Sequence, residues 1–230
     1  MTRRAFIFGA MAAFAAAGLP GETALQSVAD PRPILQDLHR KMASVDSVYL
    51  EFTQERRLKL FTEPLRSEGV MLIAKPDKIR WETTAPYQSI LLSGDKSVAQ
   101  FEKRDGKWEK LNLGFPDLLR RVMQQMAMMN QGKLEALTSD YTLSVATGGV
   151  AVITMVPKDR NAREAMSSLE LIMPLDLSTT REVVMNEPNG DLTRITFSHE
   201  RRNVAFPAVT FNQSKPLDIA AVKAAAQNAP

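Results

Sequence analysis

The stretch Ser67-Glu-Gly-Val-Met-Leu-Ile-Ala-Lys-Pro-Asp-Lys-Ile-Arg-Trp81 contains two strand-like runs separated by a turn. The first run covers residues 69–74 and the second covers residues 78–82. Between them, Lys75-Pro-Asp77 has the composition of a tight turn. Similar short runs follow in direct succession, and short strands in succession imply an antiparallel meander.

The strand pattern continues on both sides of this stretch. From Ser47 the sequence alternates, so that Val48, Leu50 and Phe52 point to one side of a half-buried strand and Tyr49 points to the other. Together with the two runs above, this gives roughly eleven or twelve strands. The remaining strands are predicted at residues 89–92, 97–102, 108–111, 141–146, 150–157, 167–173, 181–186, 192–200 and 209–211.

Two helices are predicted beside the strands. Asp30-Pro-Arg-Pro33 begins the first helix, because proline is tolerated in a first turn. Pro116-Asp117 begins the second helix, and Gly132 ends it. Helices that interrupt an antiparallel meander place the chain in the α+β class. Apolar residues at helical spacing are Ile34, Leu35, Leu38, Met42 and Val45 in the first helix, and Leu118, Leu119, Val122, Met123, Met126 and Met129 in the second.

Length and composition indicate one sizeable domain. The chain has 230 residues, of which 44% are hydrophobic and 24% are charged. We expect the domain to cover residues 25–215, followed at 216–230 by a loose tail or a terminal helix. Cysteine is absent. This excludes disulfides, thiolate metal sites, a cysteine nucleophile and the lipid-acceptor cysteine of a lipoprotein.

Residues 1–24 have the features of an export signal. Arg3-Arg4 precedes an apolar stretch over residues 5–17, which is too short to span a bilayer and ends in alanines. Two basic residues suit an ordinary secretory signal, and we favour the Sec route to the periplasm over the twin-arginine route. Cleavage near Gly18 would lower the formal charge from +3 to +1, and the other basic pairs suit a solvated surface. Nucleic acid is therefore not an expected partner.

No catalytic or metal motif stands out in the sequence. The two histidines, His39 and His199, belong to no zinc-protease motif and are expected at the surface. There is no nucleophile-elbow pattern and no phosphate-cradling glycine loop. Nothing in the sequence pairs carboxylates across a cleft. We therefore predict a protein without enzymatic activity, cofactor or metal.

The order of several short motifs resembles the periplasmic outer-membrane lipoprotein carrier family, the LolA-like proteins. The resemblance covers most of the chain after residue 24. It implies an incomplete, strongly curved antiparallel β-barrel with a helical lid and a hydrophobic cavity for acyl chains. It also implies an acylated cargo, an inner-membrane releasing complex and an outer-membrane acceptor, and we expect a monomer. The motifs are Phe52-Thr-Gln54, Gly69, Lys75-Pro76, Trp81, Pro86, Ser89-Ile-Leu-Leu92, Gly94, Asn189-Gly-Asp191, Thr193, Phe197, Asn203 and Phe211.

Two patterns in the residues agree with such an interior, and each has a second interpretation. Strands such as residues 70–74, 90–92 and 152–156 are apolar on both faces, which predicts a cover on both faces; an ordinary two-layer core explains this equally well. The second helix is rich in methionine, whose flexible side chain suits either varied ligands or core gaps. The candidate cavity residues are Val48, Leu50, Phe52, Met71, Ile73, Trp81, Leu119, Val122, Met123 and Met126.

The position of the family's lid latch holds a different residue in this sequence. In the family, an arginine just before the first proline motif bonds the lid and holds the empty state closed. Lys75 occupies that position here, and lysine offers a point charge rather than a planar fork of donors. Arg80 is therefore a second candidate for the latch. After Gly94, Ser97-Val-Ala-Gln100 replaces the aromatic pair that is usual in the family.

The sequence therefore favours a periplasmic carrier of lipoprotein acyl chains or related lipids. A long acyl chain is worth on the order of 10 kcal/mol in apolar contacts, so it does not cross water unaided. Two other hypotheses stay open. One is an envelope sensor or scaffold that binds a lipidated or peptide partner without transporting it, and the other is a hydrolase with a dispersed site.

Overall fold

A computed structural model describes residues 24–114, 116–214, 216 and 219–220. The predicted export signal lies outside the described residues except for residue 24, and so does most of the predicted tail. The elements are β1 (Gln26–Ser27), α1 (Arg32–Met42), β2 (Ser47–Arg57), β3 (Leu65–Ala74), β4 (Lys78–Ala85), β5 (Ser89–Gly94), β6 (Ser97–Arg104), β7 (Lys107–Lys110), α2 (Pro116–Asn130), β8 (Tyr141–Thr147), β9 (Ala151–Pro157), α3 (Arg160–Ala165), β10 (Ser168–Met173), β11 (Glu182–Asn186) and β12 (Leu192–Arg202). Short 3₁₀ helices follow α2 at Leu134–Leu137 and β12 at Ala208–Phe211.

All of these strands form one antiparallel sheet in the order β1-β8-β9-β10-β11-β12-β2-β3-β4-β5-β6-β7. The edge strands β1 and β7 do not pair with each other, so the barrel is open. Two irregularities bend the long central strands. β12 shifts register against β2 between Ser198 and Arg201, and β3 shifts against β4 beside Gly69. At Gly69 a Cβ atom would lie 1.9 Å from the Glu82 carbonyl oxygen, so only glycine fits there.

The main core lies on the inner face of the curved sheet. Side chains from opposite halves of the sheet, such as Met71 of β3 and Ile153 of β9, belong to one buried cluster together with Leu38 of α1 and Met123 of α2. The helices therefore occupy the space that the sheet surrounds. Gly132, just after α2, lies directly against α1, since a Cβ there would meet the His39 backbone at 2.9 Å.

The outer face of the sheet is covered by the segment after β12. Val204 is buried with Tyr49, Val70 and Leu72, and Phe206 packs edge-on against Phe211 at the same cluster. Beside it, strands β5 and β6 contribute a second outer cluster, whose buried members are Ile90, Leu92, Ala99 and Phe101. Strands 70–74 and 90–92 are therefore covered on both faces, as their apolar sequences predict.

The predicted strands and the two predicted helices are confirmed, with three differences. Residues 209–211 belong to a 3₁₀ helix, because this segment packs across the sheet rather than along a neighbouring strand. β1 and α3 are present although the sequence did not suggest them. Val156 of β9 is 37% exposed although Val152 on the same face is buried, so the second face of that strand is covered at its start and not at its end. Within the described residues, no helix is long and apolar enough to cross a membrane.

Candidate functional site

The inner face brings most of the predicted cavity residues together. Alternation along β2 and β3 directs five of them to that face, where each is at most 5% exposed. Trp81 of β4 packs on the same cluster, with its ring centroid 4.8 Å from that of Phe52. From α2, Met123 is fully buried in this cluster and Met126 is partly buried against it. The five residues from β2 and β3 are Val48, Leu50, Phe52, Met71 and Ile73.

The first half of α2 contributes less than the sequence predicted. Val122 is 43% exposed, and Leu119 is only half-buried. The spacing placed both on the apolar face of the helix, but among the described side chains of that face Met123 is the first that is fully buried. Met128 lies on the outward side of the helix and is 36% exposed. The sequence pattern identified the apolar face correctly and could not show where along it the cover begins.

The cavity found between the helices and the inner face is small. The cavity between α1, β2 and the end of α2 has a volume of about 30 Å³, whereas sites for small organic ligands typically measure about 300–1,000 Å³. A larger, open groove of about 260 Å³ lies where the first turns of α1 meet the β8–β9 turn, lined by Ile34, Ala151 and Leu177 among others. Hydrogen bonds from Arg40 and Lys41 hold the pKa of Asp37, at the groove, below its usual range. Entry of a ligand into the interior therefore requires the helices to move.

One turn of the sheet holds the ends of both helices. Lys75 Nζ donates a hydrogen bond to the Ala43 carbonyl at the end of α1, at 2.7 Å, and lies 3.3 Å from Asp46 Oδ1. The next residue, Pro76, accepts a hydrogen bond through its carbonyl from Gln131 Nε2, also at 2.7 Å. Gln131 directly follows α2 and is only 7% exposed. The Lys75–Pro76 turn is thus a shared attachment point for α1 and α2, which we call the turn clamp.

Gln131 was not recognised from the sequence. A polar residue before the glycine that ends a helix usually lies in solvent, and burial is the unusual feature here. The only local indication is Gly132, whose positive φ of 66° turns the chain back toward α1. The contact with Pro76 spans 55 residues, so no local pattern encodes it.

The prediction that Arg80 takes part in the lid latch is wrong. Along β4, Ile79 and Trp81 point to the inner face, so Arg80 points to the outer face, away from both helices. It is fully buried there, and two of its nitrogens contact Glu82 Oε2 at 2.6 and 2.8 Å. Its remaining terminal nitrogen donates to the Thr210 carbonyl at 3.0 Å. Through Arg80, this buried pair attaches the segment after β12 to the outer face.

A second polar contact attaches the middle of α2. Tyr141, at the start of β8, donates its hydroxyl hydrogen to Gln125 Oε1 at 2.9 Å. Burial raises the pKa of Tyr141, so the phenol stays protonated and remains a donor at neutral pH. α1 has a similar contact near the same end as the turn clamp, where Lys41 Nζ donates to the Asp176 carbonyl. A few polar contacts and apolar packing therefore hold both helices in place.

The structure offers no acid–base or metal constellation in the part of the chain that it describes. His39 and His199 are exposed, as predicted, and His199 Nδ1 lies 3.2 Å from Glu51 on the surface. Among the described residues, no three histidine or carboxylate side chains are grouped so that they could hold a metal ion. The chemistry available at the inner face is that of apolar contact.

Comparisons with known proteins agree with this geometry. The family model described as outer membrane lipoprotein carrier protein LolA matches residues 43–214. The outer-membrane lipoprotein carrier protein of Pseudomonas fluorescens is 24% identical over 195 residues, which cover 84% of this chain and 89% of that protein. The carrier protein of Dechloromonas aromatica is 24% identical over 194 residues, covering 79% and 84%. The crystal structure of a LolA superfamily protein from Nitrosomonas europaea aligns with a TM-score of 0.47 at 10% identity, covering 81% of this chain and 99% of that one.

Proposed function

Because the chain belongs to the LolA family of outer membrane lipoprotein carrier proteins, we propose that it carries the acyl chains of lipoproteins, or of related lipids, between the inner and outer membranes. The acyl chains would lie against the inner face of the sheet in place of parts of α1 and α2. This role implies a periplasmic protein without enzymatic activity. It also implies an inner-membrane complex that loads the cargo and an outer-membrane acceptor that receives it.

The observation that carries the proposal is that helices α1 and α2 cover the apolar inner face of the sheet. The inner face of the sheet is continuously apolar from β2 to β4 and from β8 to β10, and two helices cover it instead of a second sheet. The helices share no backbone ladder with the sheet, so they can leave while every strand pair stays intact. An apolar surface with a removable apolar cover suits a ligand that is itself apolar and flexible.

The energies of the two covers are comparable, which reversible carriage requires. Each buried methylene group is worth about 0.8 kcal/mol, whether it belongs to a side chain or to an acyl chain. Withdrawing Met123 and its neighbours on α2 would expose apolar surface that an acyl chain then covers again. The affinity for an acyl chain therefore depends on a small difference between two large free energies, that of the sheet's contact with the acyl chain and that of its contact with the helices. Closure of the helices competes with the cargo.

Release of lipoproteins from inner-membrane vesicles tests the proposal directly. The purified protein should release acylated lipoproteins from the vesicles in a soluble complex, and mass spectrometry of protein taken from the periplasm should find acylated cargo. A protein that is empty in both experiments would refute carriage. That result would favour a sensor or scaffold that binds its partner without transporting it. A hydrolase would be supported only by turnover of ester or glycoside probes.

The absence of cysteine allows a direct measurement of helix movement. A fluorophore attached to a Met128→Cys variant, on the outward side of α2, should change its emission when an acyl probe binds. The same fluorophore on a Val156→Cys variant, on the outer side of β9, should not respond. Equal responses at both sites would contradict a displacement of α2.

A further inference from the structure

The loop between β2 and β3 displays large apolar side chains to solvent. Leu60 is 93% exposed, Phe61 is 59% exposed and Leu65 is 55% exposed. Single exposed apolar residues are normal on protein surfaces, but a contiguous exposed group marks a contact with a partner or a membrane. We call residues 58–65 the apolar tip.

The base of the apolar tip is fixed. The Phe61 amide donates to the Leu58 carbonyl at 2.9 Å, which closes a turn. The Lys59 amide donates to Asp191 Oδ1 at 2.8 Å, which attaches the loop to the turn between β11 and β12. The apolar side chains are therefore held away from the sheet by a rooted turn.

Basic side chains surround the base of the apolar tip. Residues 56–66 include four basic residues and one acidic residue, Glu63. Arg56 pairs with Glu187, and both Arg57 and Arg66 approach Glu55. These three arginine side chains nevertheless remain 46–74% exposed. Their carboxylate partners are only 16–29% exposed, so the outward-facing charge beside the apolar side chains is basic. Apolar and basic side chains together are what amphipathic segments present to anionic membranes.

The apolar tip lies far from the turn clamp. β2 and β3 pair from Ser47 and Ala74 at one end to Arg56 and Leu65 at the other, a length of roughly 30 Å. The turn clamp lies beyond the first end and the apolar tip beyond the second. The apolar tip can therefore touch another surface without disturbing α1 or α2.

We propose that the apolar tip docks this protein on lipid bilayers that contain anionic lipids. Leu60 and Phe61 would enter the headgroup region, and Arg57, Lys59 and Arg66 would lie near lipid phosphates. A membrane fits better than a protein partner, because the apolar side chains are 55–93% exposed and lie beside basic residues, whereas protein hot spots lie in packed, fully desolvated pockets. The contact would be weak and reversible, because the apolar area is small. It adds a membrane contact to the proposed carriage and does not depend on it.

Co-sedimentation with vesicles of phosphatidylethanolamine and phosphatidylglycerol tests this docking. We expect the wild-type protein to bind, and the double variant Leu60→Ser/Phe61→Ser to bind at least tenfold more weakly. The matched control is Leu25→Ser/Val209→Ser, which removes two apolar side chains that are 52% and 47% exposed elsewhere. The control should stay within twofold of wild type. Arg57→Gln/Arg66→Gln should weaken binding to these vesicles and leave binding to phosphatidylcholine vesicles unchanged.

Several results would overturn the docking proposal. One is a wild-type protein that does not sediment with the vesicles, and another is a Leu60→Ser/Phe61→Ser variant that binds like wild type. Defective cargo transfer by that variant with normal vesicle binding would assign the apolar tip to a protein partner instead. Titration of each variant with an acyl probe separates this proposal from carriage, since the Leu60→Ser/Phe61→Ser variant should keep wild-type acyl affinity.

Discussion

Replacement of Gln131 by alanine should loosen the end of α2 and strengthen the binding of acyl chains. The substitution removes the hydrogen bond to the Pro76 carbonyl, which is one of the two described side-chain bonds that join the turn clamp to the helix ends. In the proposed carriage, α2 is displaced when an acyl chain binds, and this bond is then absent. Its loss should therefore penalise the closed state and leave the ligand-bound state unaffected.

The expected size of this effect follows from the environment of the Gln131–Pro76 hydrogen bond. A hydrogen bond contributes about 0.5–1.5 kcal/mol net, and a buried partner left unsatisfied adds to the loss. Gln131 is only 7% exposed, so we expect the closed state to lose about 1–2 kcal/mol. Since apparent affinity scales with the fraction of open protein, acyl-probe affinity should rise roughly five- to thirtyfold. Lys75→Met should act in the same direction, and because both residues bond to one turn, their effects should not add fully.

Two measurements check this prediction independently. Titration with a fluorescent fatty acid gives the affinity, and urea unfolding of the empty protein gives the stability, which should fall by the same 1–2 kcal/mol. Gln124→Ala is the matched control, because Gln124 lies on the same helix and its side chain makes no hydrogen bond within the described part of the chain. Tighter binding should also slow the transfer of cargo to the acceptor.

The opposite pattern would refute this role of the turn clamp. If Gln131→Ala lowers the stability of the empty protein but leaves acyl affinity unchanged, the contact is present in both states and does not control opening. Weaker acyl binding would show that Gln131 belongs to the ligand-bound arrangement.

Three further changes test the two covers of the sheet. Met123 is 1% exposed, so Met123→Ala should lower the free energy of unfolding, measured with urea, by about 2–4 kcal/mol, whereas Met128→Ala at the surface should lower it by under about 1 kcal/mol. If Met123→Ala leaves acyl affinity unchanged, the residue serves packing alone. Arg80→Met should lower the free energy of unfolding by about 3–5 kcal/mol, because it leaves Glu82 buried without its arginine. The double variant Arg80→Met/Glu82→Met should recover most of that stability, and equal stabilities of the two variants would contradict this expectation. Burial raises the pKa of Tyr49 and Tyr141, so their contribution to stability is complete below a pH of about 10 and is lost as pH rises through their folded pKa values. Absorbance titration should show their phenolates forming later in the folded protein than in urea, and coincident titrations would contradict this.

Local patterns account for what the sequence predicted correctly. Alternation in β2 separates Val48 and Leu50 from Tyr49, and the structure places them on opposite faces of the sheet. Pro116 and Gly132 bracket the second helix because proline suits a first turn and glycine suits a left-handed end. These features depend on residues a few positions apart, which is the range over which a sequence can be read directly.

The functions of Arg80 and Gln131 depend on distant contacts and could not be read in this way. An arginine between Ile79 and Trp81 looks like the exposed residue of an alternating strand. It is buried because a segment 130 residues later crosses the outer face and offers the Thr210 carbonyl. Val209 and its neighbours have strand-like composition, but they form that cover instead of a strand. In each case the partner, and not the local pattern, decides the environment of the side chain.

The two covers of the sheet differ in how they are attached, and this difference makes the proposed exchange physically reasonable. The outer cover is attached through Arg80, which is fully buried and donates to the Thr210 carbonyl, and a hydrogen bond to a charged group is worth about 1.5–3 kcal/mol. The inner cover consists of α1 and α2. The polar contacts described for it are hydrogen bonds near the helix ends and at Gln125, each worth about 1 kcal/mol. A ligand that replaces the apolar contacts of α1 and α2 must therefore overcome only these weak bonds, while the outer cover and the strand ladders keep the sheet in shape. An apolar ligand should thus open the inner face long before it unfolds the protein.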